Sequence, residues 1–347
     1  MITVSLRDYI LVSTMEQEDL ARFSDVLNLR RSALAELLRN PSSFATAGPT
    51  EVALTLLSEL DSALERINSG KFGTCSECDE GVGLDHIELD FTTCVCLGHY
   101  SDAQIEALEK DLELAAQVQK NLLPSEVPMF KGLDVAAHLE PASFVGGDYF
   151  DFFKSAKGDA GFIIADVMGK GMAASMLMSN LQASIRILGP EYDEPHLLAN
   201  RLNQLFLFNV RLIRFISMFL AYYCEASRKI LYTNAGHHPP VFRRSSNANV
   251  SFLNPTGPAL GLVPSTEYRT AEVNVESGDL LLLYTDGLVE ARSPSGEEYG
   301  EDRLAAFIET NGEKSAHEVL NGLRETVSTF SNGLWTDDVA ILTIKVV

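Results

Sequence analysis

Beyond about residue 130, apolar runs of strand length keep stopping at an aspartate, and this pattern restricts the fold more than any other feature of the chain. Gly161-Phe162-Ile163-Ile164-Ala165 ends at Asp166, and Leu280-Leu281-Leu282-Leu283-Tyr284 is followed one residue later by Asp286. Short apolar runs bounded in this way predict buried strands. Two further motifs, Gly146-Gly147-Asp148 and Thr336-Asp337-Asp338, set a carboxylate beside glycine or at the start of the last apolar run, residues 339–347. Carboxylates gathered at strand ends are oxygen ligands for hard divalent cations. With no competing nucleophile in view, a metal-activated water is the first chemistry to consider.

Composition narrows the class. A chain of 347 residues with 46% hydrophobic content has room for two or three domains and a packed core. The net charge of −21 argues against a nucleic-acid-binding surface as the main activity. No run of about 18 apolar residues is present, so no membrane span is expected. Residues 1–8 lack the basic and apolar regions of a secretory signal. Four of the five cysteines fall between residues 75 and 96, which is metal-site clustering more than a disulfide framework. The expected compartment is the cytoplasm, with no direct nucleic-acid or membrane partner.

Residues 1–100 form the first expected segment. Apolar residues at three- and four-residue spacing predict helices over 19–38 and 50–67, and the breakers between them predict a helical hairpin. Residues 101–124 follow as a linker helix, opened by the capping-box pattern Ser101-Asp102-Ala103-Gln104 and closed by Pro124. Within it Ile105, Leu108, Leu112, Ala115, Gln119 and Leu122 line one face. That face predicts either a homodimer seam over residues 101–123, with Gln119 fixing register, or a helix packed on its own domain. From residue 125 to 347 strands and helices alternate, with a helix over 172–188 and a hairpin pair over 216–223 and 229–234.

Cys75-x2-Cys78 and Cys96-x2-His99, separated by 17 residues, have the spacing of a structural zinc site, with Cys94 as an alternative to Cys96. The surrounding sequence, from Leu64 through Gly70-Lys71-Phe72-Gly73-Thr74 to Cys78, resembles the DksA/TraR zinc-finger family over about residues 15–100. That resemblance implies a helical hairpin leading into a finger. Two departures are His99 in place of a fourth cysteine and a hairpin tip at residues 40–50 without paired aspartates.

The second half resembles the PPM family of metal-dependent serine/threonine phosphatases, in its SpoIIE/RsbU branch. The residues that carry this run in family order: Leu122-Leu123-Pro124, Gly146-Gly147-Asp148, Ala165-Asp166-Val167-Met168-Gly169-Lys170-Gly171, Asn234-Ala235-Gly236-His237-His238-Pro239-Pro240, Tyr284-Thr285-Asp286-Gly287 and Trp335-Thr336-Asp337-Asp338. The resemblance implies an α+β fold, a four-layer α-β-β-α sandwich. It also implies two Mn²⁺ or Mg²⁺ ions about 4 Å apart that share and activate a water. Asp166 would bridge the ions with the Val167 carbonyl as a further ligand, Asp286 and Asp337 would complete the second, and Asp148 would ligate one or hold its water. Asp151 and Asp338 are supporting candidates.

Other PPM branches place a histidine two residues after the bridging aspartate as leaving-group acid; here that residue is Met168. The His237-His238 pair reads as structuring its Gly-Pro loop. Gly169-Lys170 does not have phosphate-loop spacing, and Cys224 lacks an arginine six positions on. The expected function is therefore a phosphoserine/phosphothreonine protein phosphatase acting on a phosphorylated STAS-type protein in a partner-switching pathway. The alternatives are a non-catalytic DksA/TraR-like transcription regulator, which would be expected to lose some of the four aspartates, and hydrolysis of a small phosphorylated molecule.

Overall fold

The computed structural model describes residues 17–39, 49–83, 87, 91–92, 94–99, 101–169, 171–208, 215–263 and 266–347. The hairpin tip, the first residues of the chain and the side chains of Ile105 and Leu108 lie outside the described residues. The chain divides into two compact units, one reaching Leu114 and the other running from Ala115 onward. Among the described residues no helix is long and apolar enough to cross a membrane.

In the first unit, helices α1 (Gln17–Arg39) and α2 (Pro49–Asn68) pack on each other. Their periodic residues Phe23, Leu27, Leu56, Leu60 and Ala63 form a core with Phe72, Val82, Ile87 and Phe91, into which Cys75 and Cys96 are also buried. Helix α3 (Asp102–Leu122) continues into the second unit.

The second unit contains β1 (Leu133–Glu140), β2 (Tyr149–Lys154), β3 (Ala160–Val167), α4 (Gly171–Leu188), α5 (Pro195–Phe208), β4 (Ile216–Cys224), β5 (Lys229–Ala235), β6 (Val241–Arg243), β7 (Val250–Phe252) and β8 (Ala271–Asn274). It ends with β9 (Leu280–Tyr284), α6 (Asp286–Val289), α7 (Gly300–Asn311), α8 (Ala316–Phe330) and β10 (Val339–Val346). Two five-stranded antiparallel sheets result, in the orders β2-β3-β4-β5-β8 and β1-β10-β9-β6-β7. Helices α4 and α5 pack on the first sheet, and α7 and α8 on the second.

Period-two alternation explains the layering. Phe150, Phe152, Phe162, Ile164, Leu281, Leu283, Leu342 and Ile344 meet between the sheets. Their strand neighbours Leu280, Leu282, Tyr284 and Ile341 face α6, α7 and α8 instead. Both faces of β3, β9 and β10 are therefore covered, which is why their sequences read as unbroken apolar runs. β3 extends through Asp166, which pairs with Ser217, so that aspartate lies within the strand and not just beyond it.

Register places the acidic motifs. In one sheet Tyr149 pairs with Ala165 and Asp166 with Ser217, so the loop before β2, the end of β3 and the start of β4 share one edge. In the other, Tyr284 pairs with Ile341 and Glu140 with Val339, which gathers the end of β9, the start of β10 and the end of β1.

Candidate active site

The loop entering β2 is shaped by a carboxylate nearly two hundred residues away. Asp338, buried at the start of β10, accepts the Ala142 N–H on Oδ1 and the Gly147 N–H on Oδ2, each at 2.8 Å. A Cβ at Gly146 would sit 2.4 Å from Asp338 Oδ2, and one at Gly147 would sit 2.8 Å from the Val167 carbonyl. Both positions therefore need glycine for a steric reason: backbone must pass a carboxylate and a carbonyl oxygen at contact distance. The same contact brings Val167 O to the loop that carries Asp148.

Asp148 itself is buried, and the Thr285 hydroxyl lies 2.6 Å from its Oδ2. The Ala340 N–H donates to Thr285 Oγ at 2.8 Å, which leaves the hydroxyl proton for the carboxylate. Thr285 precedes Asp286 at the end of β9, so one residue ties the two sheets' acidic ends together. Asp337 Oδ1 accepts the Asp338 N–H at 2.9 Å.

The carboxylates are close enough to perturb one another. Burial raises the pKa of Asp148 well above the ordinary carboxylate value, and Asp166, Asp338 and Asp286 raise it further. Asp166 is raised well above it too, by lost hydration and then by Asp286, Asp337, Asp338 and Glu290. Asp286 is pushed up to about 6 by burial, Asp337 and Glu290, with His238 opposing. A cluster of hard oxygen donors that resist ionising side by side is one that divalent cations relieve, so the residues present fit such ions.

The two histidines have separate surroundings. His237 is buried, and its Nε2 lies 3.0 Å from the Tyr284 carbonyl, so Nε2 carries the proton and donates. Nδ1 then accepts from the Ser217 hydroxyl at 2.8 Å. Burial, followed by the charge of His238, holds its pKa down to about 3, so it is a neutral tether between the sheets. This is the loop-structuring part expected of the pair. His238 instead faces the site, where its ring nitrogen and the carboxylates of Asp286 and Glu290 lie within 4.8 Å of one another. Sequence reading assigns His238 only a loop-structuring role, as half of the His237-His238 pair, and does not single out Thr285 or Glu290. Each stands beside a recognised residue, which was the available signal.

Asp151 is elsewhere. The pleat turns it, with Tyr149, away from the Phe150 and Phe152 side and toward α4, where Arg186 Nε and Nη2 each donate to it at 2.7 Å. Tyr149 Oη donates to the same carboxylate at 2.7 Å. This fully buried acceptor fixes α4 to β2. A cavity of about 480 Å³ opens beside this pair, lined by Leu122, Pro124, Gln182 and Arg186. It does not include the clustered carboxylates.

In the first unit Cys75, Cys78, Cys96 and His99 bring one donor atom each to within 4.8 Å of one another. Cys75 Sγ lies 3.5 Å from His99 Nε2, and Cys78 Sγ lies 3.6 Å from Cys96 Sγ, too far for a disulfide. Although burial raises the Cys75 pKa, N–H groups of Cys96, Glu77 and Cys78 bring it down to about 6. Cys94 is outside the group; its carbonyl accepts the Ser76 N–H at 2.7 Å.

Residues 156–347, more than half of the chain, match the family model described as Stage II sporulation protein E (SpoIIE). The chain is similar to phosphoserine phosphatase RsbU of Bacillus subtilis, at 29% identity over 265 residues that cover 74% of this chain and 78% of that protein. Among solved structures it is similar to the SiaA-PP2C domain of Pseudomonas aeruginosa, with a TM-score of 0.61 at 19% identity, covering 71% of this chain and 99% of that one. It is also similar to a Mycobacterium tuberculosis chain with RsbU and RsbW domains, with a TM-score of 0.56 at 23% identity, covering 65% and 63% respectively. At these identities the solved structures establish the fold, a PP2C-like pair of antiparallel sheets with flanking helices.

Proposed function

The chain belongs to the SpoIIE family, and on that premise we propose that it is a metal-dependent protein-serine/threonine phosphatase. The observation that carries this reading is the convergence of Asp148, Asp166, Asp286 and Asp338 from two sheets into one mutually repelling cluster, with Asp337 alongside. Asp148, Asp166, Asp286 and Asp337, with the Val167 carbonyl, would hold two Mn²⁺ or Mg²⁺ ions. Such ions, when bound, lower the pKa of water and neutralise charge on phosphoryl oxygens.

The chain's own residues supply position and charge. Thr285 orients Asp148, Asp338 fixes the backbone beside it, and His237 holds the end of β9 to β4. Asp166, Asp286 and Asp337 are only partly buried, so a phosphorylated side chain on a protein surface can reach them. Met168 has no proton to give a leaving group.

The RsbU likeness supports a phosphorylated STAS-type protein as substrate in a partner-switching pathway. Residues 125–347 would be the catalytic part, 101–124 the linker and 1–100 the regulatory part. For the last, the Cys75, Cys78, Cys96 and His99 donors suit one structural zinc. Tetrahedral zinc with bonds of about 2.3 Å to sulfur and 2.0 Å to nitrogen would place S···S at about 3.8 Å and S···N at about 3.5 Å. A homodimer would use the face of α3 that runs from Ile105 to Leu122; light scattering that returned only monomer would remove it.

The decisive assay is phosphate release from a phosphorylated STAS-domain protein with and without Mn²⁺, using wild type and Asp286→Asn. Release that needs Mn²⁺ and is lost in the variant is expected. Equal rates in the two proteins would sink the catalytic assignment. Faster release from small phosphoesters than from the protein would replace the substrate.

A further inference from the structure

Helix α3 has a polar residue on the face that otherwise reads as an apolar seam, and that residue is directed at the candidate active-site loop. Gln119 is 8% exposed. Its Nε2 donates to the Gly146 carbonyl at 2.6 Å, while its Oε1 accepts the Gly146 N–H at 3.0 Å. One planar amide thus satisfies both backbone groups of a loop glycine. Buried loop backbone without a ladder partner is costly, and Gln has the donor and acceptor side by side that this task requires. A leucine of similar size would leave both groups unpaired.

The consequence falls on Asp148. Gly146 is held by Gln119, the next residue Gly147 is held by Asp338, and Asp148 follows directly. The loop is therefore fixed at consecutive residues by two side chains, one 27 residues before it and one 191 residues after it. Around Gln119, Ala115, Ala116 and Leu122 are half-buried while the outer face of the helix is open. Leu114 and Val118 are 60% and 53% exposed, and Gln182 of α4 donates to the Leu122 carbonyl at 3.1 Å.

We propose that Gln119 is a positioning residue for the metal centre: by clamping Gly146 it sets the place of Asp148, and loosening α3 weakens cation binding although no α3 residue is a ligand. This rests on the two-ion reading above and adds to it a route by which the linker helix acts on the site. A purely structural glutamine would instead lower the stability of the protein and leave its cation affinity alone.

The test uses the full chain as wild type, Gln119→Leu and Gln119→Glu, and measures Mn²⁺ binding by titration calorimetry together with the melting temperature in EDTA. Gln119→Leu is expected to weaken Mn²⁺ binding by about 10- to 100-fold, the range for lost ligand-orienting contacts. Its metal-free melting temperature should fall as well, because two buried backbone groups lose their partners, so the change in Mn²⁺ affinity is the readout that separates a clamp from a purely structural glutamine. Gln119→Glu keeps the acceptor for the Gly146 N–H but sets a carboxylate against the Gly146 carbonyl, so it should fall between the two. Binding within twofold of wild type in Gln119→Leu overturns the proposal. If that variant does not fold, Gln119→Glu decides: binding at least threefold weaker supports the clamp, and anything closer to wild type overturns it. A wild type that binds no Mn²⁺ would instead remove the reading on which the clamp depends.

Discussion

The carboxylate rim and the Cys/His cluster are both sets of converging donors, and they differ in what brings the donors together. In the first unit the four donors come from two tight turns within 25 residues, and they sit on a local core that includes two of the cysteines themselves. In the second, the carboxylates come from β-strand ends up to about two hundred residues apart, and two sheets with their own cores hold them against mutual repulsion. The difference teaches which partner each region depends on. The small segment packs Phe72, Val82, Ile87 and Phe91 on the helical hairpin, and an ion held by its four donors would add to that core. The sandwich has two apolar cores of its own and tolerates an unfavourable charge cluster, as functional sites commonly do.

The largest expected break of that comparison is Asp166→Asn. Phosphate release should fall by at least about 100-fold, the scale on which electrostatic groups of a transition state count. The melting temperature in EDTA should hold or rise, because a repelling charge is gone; a clear fall would mean that Asp166 is needed for folding. Next in size is Thr285→Val, which removes the hydroxyl held by Asp148. Mn²⁺ affinity should weaken by about 10- to 100-fold, read by calorimetry, and an unchanged affinity would detach Thr285 from the site.

The pH dependence of the metal-free protein sharpens the same contrast. Asp286 has a folded pKa of about 6 against an ordinary 3.8, so the folded state takes up a proton before the unfolded chain does. Stability from this group is full below about pH 4 and is lost as pH rises through 6, by at most about 3 kcal/mol. Denaturant titrations in EDTA should show the stability of wild type relative to Asp286→Asn declining over that interval. A flat difference would mean that Asp286 is not crowded. The smallest effect on catalysis is expected from Cys75→Ser. It should abolish binding of one zinc per chain, measured by elemental analysis, while phosphate release stays within about threefold.

Much of the fold was legible because its cause is local. Helices α1 and α2 follow from apolar spacing, and β3, β9 and β10 from runs that must be covered on both faces. The four aspartates were legible from their place at strand ends and from family order. The parts that escaped depend on register. Thr285 meets Asp148, and Asp338 meets Gly147, across 137 and 191 residues of sequence. Asp151 looked like a supporting carboxylate by proximity in sequence, yet the pleat gives it to Arg186. Gln119 was legible as the odd residue of an apolar face, while its partner Gly146 was not. The choice between Cys94 and Cys96 likewise needed the turn geometry, which puts Cys96 in the donor group.

The central claim is that the clustered carboxylates form one two-ion centre, and counting Mn²⁺ tests it most directly. Titration of the zinc-loaded full chain, followed by the electron paramagnetic resonance of free Mn²⁺, should show two ions bound per wild-type chain. Asp166→Asn, which removes one of the clustered carboxylates, should bind fewer than two. Two ions bound equally well by wild type and Asp166→Asn, or none bound by wild type, would contradict the account.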